Sequence, residues 1–191
     1  MDLAIVRKVL TGRASTVAVV LLVSACGPAQ LTPNANSPKT VVLHATVSIT
    51  GGVSFTGSYD QRLVAPSCAD LAKTGTRPAS PSNALAAAFY LPIPAPKPGG
   101  SYGPVGGGHT FAADVSAYPY HGPGTYTGSA LNATQLDADT PPDSQETHIF
   151  AFPTGIGTMI VKPDASGSFQ FSGLQDPASV TISGQVVWTC S

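Results

Sequence analysis

VVLHATVSITGGVSFTGSY, running from Val41 to Tyr59, is the stretch whose reading decides the fold. Val41, Leu43, Ala45, Val47 and Ile49 alternate with Val42, His44, Thr46, Ser48 and Thr50. A period of two over ten residues describes a strand with one buried face. Gly51 and Gly52 follow, and Val53, Phe55 and Tyr59 then resume the alternation. Two alternating runs joined by Gly-Gly predict a β-hairpin, because glycine tolerates the positive φ of tight hairpin turns.

The same pattern returns at the other end of the chain. Val180, Ile182, Gly184, Val186, Trp188 and Cys190 alternate with Thr181, Ser183, Gln185, Val187 and Thr189, so Trp188 and Cys190 share the inward face. Just before it, residues 157–161 and 167–171 flank the turn KPDASG, with Met159 and Val161 expected on one face with Phe169 and Phe171. Residues 86–93 (AAAFYLPI), 109–118, 124–136 and 147–152 read as further strands, Pro92 marking an edge or a bend. Residues 94–108 read as a long Pro/Gly loop. Residues 66–75 (PSCADLAKTG) hold one short helical turn near Cys68, capped by Ser67 and ended by Gly75. Turns roughly every ten residues and sparse charge predict an all-β domain: an antiparallel β-sandwich, immunoglobulin-like in style, with a small β-barrel as the alternative.

Working outward toward the start, Arg7, Lys8 and Arg13 precede an uncharged apolar run from Val17 to Val23. That run is far shorter than the roughly 20 residues a membrane helix needs, and basic residues before a short apolar core mark a removable signal peptide. It ends Leu22-Val23-Ser24-Ala25-Cys26, which resembles the bacterial lipobox. The resemblance implies cleavage before Cys26 and acylation of its thiol. It also implies anchorage on the outer face of the cell membrane. Residues 1–25 are thus expected to be a signal peptide, 26–39 a flexible tether with three prolines, and 40–191 the folded domain. A dozen tether residues reach at most about 40 Å. The lipobox, the tether, the Gly- and Thr-rich β pattern and the terminal VVWTC together resemble actinobacterial, mycobacterial-type surface lipoproteins.

Removal of residues 1–25 would leave 166 residues carrying six basic and nine acidic side chains. No basic patch points to nucleic acid and no polybasic run to lipid headgroups. Beyond Cys26 the cysteines are Cys68 and Cys190 alone. In an oxidising compartment an even remainder reads as one disulfide.

Chemistry is sparse. His44, His109, His121 and His148 are scattered, without H-x-H or H-E-x-x-H spacing, and read as polar-face or loop residues. Asp137, Asp139, Asp143 and Glu146 lie in LDADTPPDSQE. They form a calcium candidate without the turn glycine of a calcium loop, set against a plain solvated loop. No G-x-S-x-G elbow or phosphate loop occurs. Tyr118, Tyr120 and Tyr126, with Tyr102 in another Gly/Pro loop, are the candidate binding residues. Exposed rings on stiff loops suit interfaces or sugar stacking; the competing reading packs them over their own loops. The expected role is therefore a non-catalytic binding or presentation module of the envelope, without a cofactor. Its expected partners are the membrane, through Cys26, and a cell-wall glycan or protein. A carrier of lipids or apolar ligands is the alternative, and an envelope enzyme without a recognisable motif the third reading.

Overall fold

The computed structural model describes residues 38–96, 98, 103–139, 147–153 and 156–191. All of them belong to the unit Ser37–Ser191. The expected signal peptide, Cys26 and the tether up to residue 37 lie outside the described residues, as do Tyr102, Asp143 and Glu146. Among the described residues the fold is all-β and antiparallel, with one α-helix. Its strands are β1 Thr40–Gly51, β2 Phe55–Val64, β3 Phe89–Tyr90, β4 Gly103–Gly106, β5 His109–Ala117, β6 Gly124–Thr127, β7 Leu131–Asp139, β8 Thr147–Ala151, β9 Thr158–Val161, β10 Gly167–Gln175 and β11 Thr181–Cys190. The helix α1 spans Cys68–Thr74.

The hydrogen-bonded path runs β2-β1-β11-β10-β8-β7-β5-β3. It forks at β10. The first half of β10, Gly167 to Gln170, pairs with β9, which pairs with β6. At its far end only Gln175 reaches β8, opposite Ala151. That single pairing is a hinge, and the β-bulge between Phe171 and Leu174 bends β10 just before it. The sheet so folds into two layers, β2-β1-β11-β10-β9-β6 over β8-β7-β5 with β3 and β4. At the open side β2 comes against β4 without a ladder. A Cβ on Gly57 would stand 2.1 Å from the Val105 carbonyl oxygen, so only glycine permits that approach. Because no ladder joins β2 to β4 among the described residues, the sheet is not closed: it is an open sandwich, and the barrel alternative falls.

The alternation at residues 41–59 folds as expected. Ile49 lies opposite Phe55 and Ala45 opposite Tyr59. Gly51, at φ 118°, turns the chain where a Cβ would meet the Thr181 carbonyl oxygen at 2.3 Å. Ser54 closes this turn by accepting from the Gly51 N–H and donating to its carbonyl. β1 lies between its hairpin partner and β11, with Ala45 opposite Trp188 and Leu43 opposite Cys190. α1 begins at Ser67, whose hydroxyl accepts from the Asp70 N–H, and ends at Gly75. Cys68 and Cys190 form the disulfide, across 122 positions of sequence. Met159 stands opposite Phe169, whereas Val161 faces Gly167 rather than Phe171.

Rings fill the space between the layers. The Trp188 indole donates to the Ala165 carbonyl at 2.8 Å and stacks on Phe89, which contacts Tyr120, which in turn stacks on Tyr126. Phe152, Phe169 and Phe171 make a second cluster. Trp188, Phe89, Phe111, Phe150 and Phe169 are fully buried. Each such side chain contributes about 1.5–3 kcal/mol of burial.

Three sequence expectations need correction. The strand expected over 86–93 shrinks to Phe89–Tyr90. Pro92 and Pro94 lack the N–H a ladder needs, and Ala88 bonds instead to Arg77. The strand expected over 124–136 is two strands, separated by a 3-10 turn at Gly128–Ala130. The loop expected over 94–108 contains β4, paired with β5 through a turn in which Gly106, Gly107 and Gly108 all have positive φ.

Candidate functional site

The expected tyrosine surface does not form at Tyr120 and Tyr126. Tyr120 is 5% exposed and Tyr126 7%. The Tyr120 hydroxyl donates to the Ala72 carbonyl of α1 at 2.5 Å, and the Tyr126 hydroxyl donates to the Gly122 carbonyl. Desolvation, with the Tyr126 ring beside it, pushes the Tyr120 phenol above its ordinary range. Two rings stacked at 5.5 Å, each with a carbonyl for its hydroxyl, are core packing. Tyr118 is half-buried, with the Arg77 guanidinium 5.7 Å from its ring; the same guanidinium lies over Tyr90 and donates to the Tyr90 hydroxyl. The alternation of Pro and Gly around Tyr120 resembled a presentation loop, but nothing in it revealed that α1 would supply an acceptor from 48 residues away.

The calcium reading gains no support at its described end. Both Asp137 oxygens accept from the Gln135 amide nitrogen, at 2.8 and 2.9 Å. Burial pushes the Asp137 carboxyl up from its ordinary value. Asp139 closes β7, while Asp143 and Glu146 lie outside the described residues. Among the described residues no group of three metal-ligating side chains converges.

Two histidines instead have carboxylate partners. His148 Nδ1 lies 2.7 Å from Asp176 Oδ2, and Asp176 also accepts from the Val180 N–H at 2.7 Å. The hydrogen bond from His148, then the backbone donors, hold the Asp176 carboxyl below its ordinary value. This pair ties β8 to the turn between β10 and β11 and reads as structural.

The second pair stands on an open face. The outward residues of β2, β1 and β11 line up as rows: Ser58 opposite Thr46 opposite Val187, and Asp60 opposite His44 opposite Thr189. His44 Nδ1 lies 2.8 Å from Asp60 Oδ1, and His44 Nε2 lies 2.9 Å from the Ser191 hydroxyl. In the tautomer that donates Nδ1–H to Asp60, Nε2 accepts from Ser191. The hydroxyls of Thr46 and Ser58 bond at 3.1 Å, and Thr50 donates to the Ser183 carbonyl. An open groove of about 470 Å³ runs over His44, Thr46, Ser58, Asp60, Val187 and Thr189. These contacts fix a carboxylate, an imidazole and several hydroxyls on one flat surface.

Carboxylate, imidazole and hydroxyl in that order are the parts of a nucleophilic triad. A triad also needs donors for the developing oxyanion and a site sheltered from water. The Ser191 N–H is bonded to the Val42 carbonyl, and the His44 and Asp60 side chains are 49% and 60% exposed. The arrangement suits hydrogen bonding better than acyl transfer. Alternation alone put His44 on the outer face, but the register that brings Asp60 and Ser191 to it was not readable from the local pattern. Compared with protein-family models, curated proteins and solved structures, the chain matches none.

Proposed function

We propose that this chain is a lipid-anchored protein of the bacterial cell envelope that binds rather than catalyses. Its contact surface is the outer face of β2, β1 and β11, and its ligand class is the polyhydroxylated glycan of the cell wall. The lipobox-like Leu22-Val23-Ser24-Ala25-Cys26 supports the anchorage. The observation that carries the binding role is the fixed row Asp60–His44–Ser191 beside Thr46–Ser58, in an open groove. Hydroxyls both donate and accept, so such an array suits a ligand that is itself an array of hydroxyls. The carrier alternative is less well supported, because the interior is filled by aromatic and aliphatic side chains.

The test is retention of the full chain on purified, protein-free cell wall. His44→Ala combined with Asp60→Ala is expected to lower retention at least tenfold with the Cys68–Cys190 bond intact. Unchanged retention would dismiss the face as the contact. Mass analysis of the mature N-terminus tests the anchorage, which an unmodified Cys26 would refute.

A further inference from the structure

The edge of β2 carries information about how copies of this chain meet. In an antiparallel pair each residue directs its N–H and C=O to the same side. Val42 exchanges both bonds with Ser191, so the even-numbered residues of β1 bond to β11 and the odd-numbered ones to β2. The odd-numbered residues of β2 are thereby taken. Ser58, Asp60, Arg62 and Val64 direct their backbone groups away from the sheet, and no described residue pairs with them in a ladder. β4 comes against β2 at Gly57. Beyond it, a groove of about 460 Å³ separates Asp60, Gln61 and Arg62 from residues 93–96. Residues 93–96 form no ladder with β2. A free edge of this kind invites another strand.

We infer that the strand it takes is β2 of a second copy, paired antiparallel about a two-fold axis at Gln61, so that Asp60 of each copy faces Arg62 of the other. Two features select this occupant and this register. First, only even-numbered residues can face even-numbered ones, since both must direct their bonds across the seam. Among such registers, one places Asp60 against Asp60 and another Arg62 against Arg62. The register centred on Gln61 replaces both repulsions with two ion pairs. Second, it overlaps residues 58–64 with 58–64 and forms about eight ladder hydrogen bonds. Asp60 gives one oxygen to His44, which leaves the other for the partner's Arg62. The inference holds whatever ligand the outer face takes.

The experiment uses the full chain in detergent micelles. Sedimentation across a concentration series should show a monomer–dimer equilibrium. Arg62→Glu, which sets two acids against each other twice, should raise the dissociation constant about tenfold or more. The swap Asp60→Arg with Arg62→Asp should restore association, because it rebuilds both pairs with exchanged ends. Gln61→Cys should form a disulfide-linked dimer without added cross-linker, since directly opposed residues of a non-hydrogen-bonded pair lie about 4.5 Å apart at Cα, within disulfide reach. Ser48→Cys, on the neighbouring strand, should not. A monomer at every concentration with no Gln61→Cys cross-link overturns the inference, and so does an edge found filled by a different protein. A dimer indifferent to Arg62→Glu, or one that Gln61→Cys cannot trap, also overturns it.

Discussion

Replacing Tyr120 by alanine would remove a ring that touches Phe89 at 5.4 Å and Tyr126 at 5.5 Å, together with the hydroxyl that serves the Ala72 carbonyl. Truncating a buried aromatic to Ala costs about 3–5 kcal/mol, and a buried carbonyl left without its donor adds about 1–3. We expect about 4–6 kcal/mol, since water entering the space would serve the carbonyl in part. For a domain of this size that lowers the melting temperature by about 10–20 °C. Tyr120→Phe separates the parts: it keeps the ring and should cost about 1–3 kcal/mol. The assay is urea unfolding of the oxidised protein, where the midpoint should fall at unchanged slope. A Tyr120→Ala midpoint within about 0.5 kcal/mol of the parent is the result expected of a surface ring. It would refute the packing described here and return Tyr120 to the solvent.

Reducing the Cys68–Cys190 bond, or replacing both cysteines by serine, frees a loop of 122 residues; the chain-entropy relation gives about 5 kcal/mol lost, read as a lower urea midpoint. Asp137→Asn should stabilise the protein at neutral pH. Burial raises the folded carboxyl above its unfolded value, so the charged form is disfavoured at higher pH. That penalty disappears as pH falls through the folded value toward the unfolded one, and parent and variant midpoints should converge in acid. A constant difference across that range would exclude the burial argument.

How much was legible follows from the range of each signal. β1, β2 and β11 were readable because alternation is local and strong, with one face of Val, Leu and Ile and the other of Thr and Ser. α1 was readable because Ser67 and Gly75 are local caps. The disulfide followed from counting. β4 was not readable, since Gly-Pro-Val-Gly has almost no strand propensity and is held by pairing with β5. The stub at Phe89–Tyr90 was overread because apolar content resembled a strand while Pro92 and Pro94 withheld donors. The candidate site was the least legible part. Asp60 and His44 lie 16 positions apart, and His44 and Ser191 lie 147 apart. The tyrosines misled for the same reason, their partners Ala72 and Phe89 being supplied by the fold.

The placement of β11 has a kinetic consequence. The last strand in sequence is not an edge; it stands between β1 and β10, and it carries the indole around which the aromatic rings gather. As the chain emerges, the hairpin of β1 and β2 can form at once, but its second edge has no neighbour until residues 181–190 arrive. Pairings of such long sequence separation are slow to find. During that interval the row Leu43, Ala45, Val47, Ile49 is uncovered beside an open strand edge, the condition under which β proteins aggregate. Losing β11 would thus leave a hairpin and a second layer with no common core, whereas losing a strand of similar length from the margin would leave most of the sandwich standing.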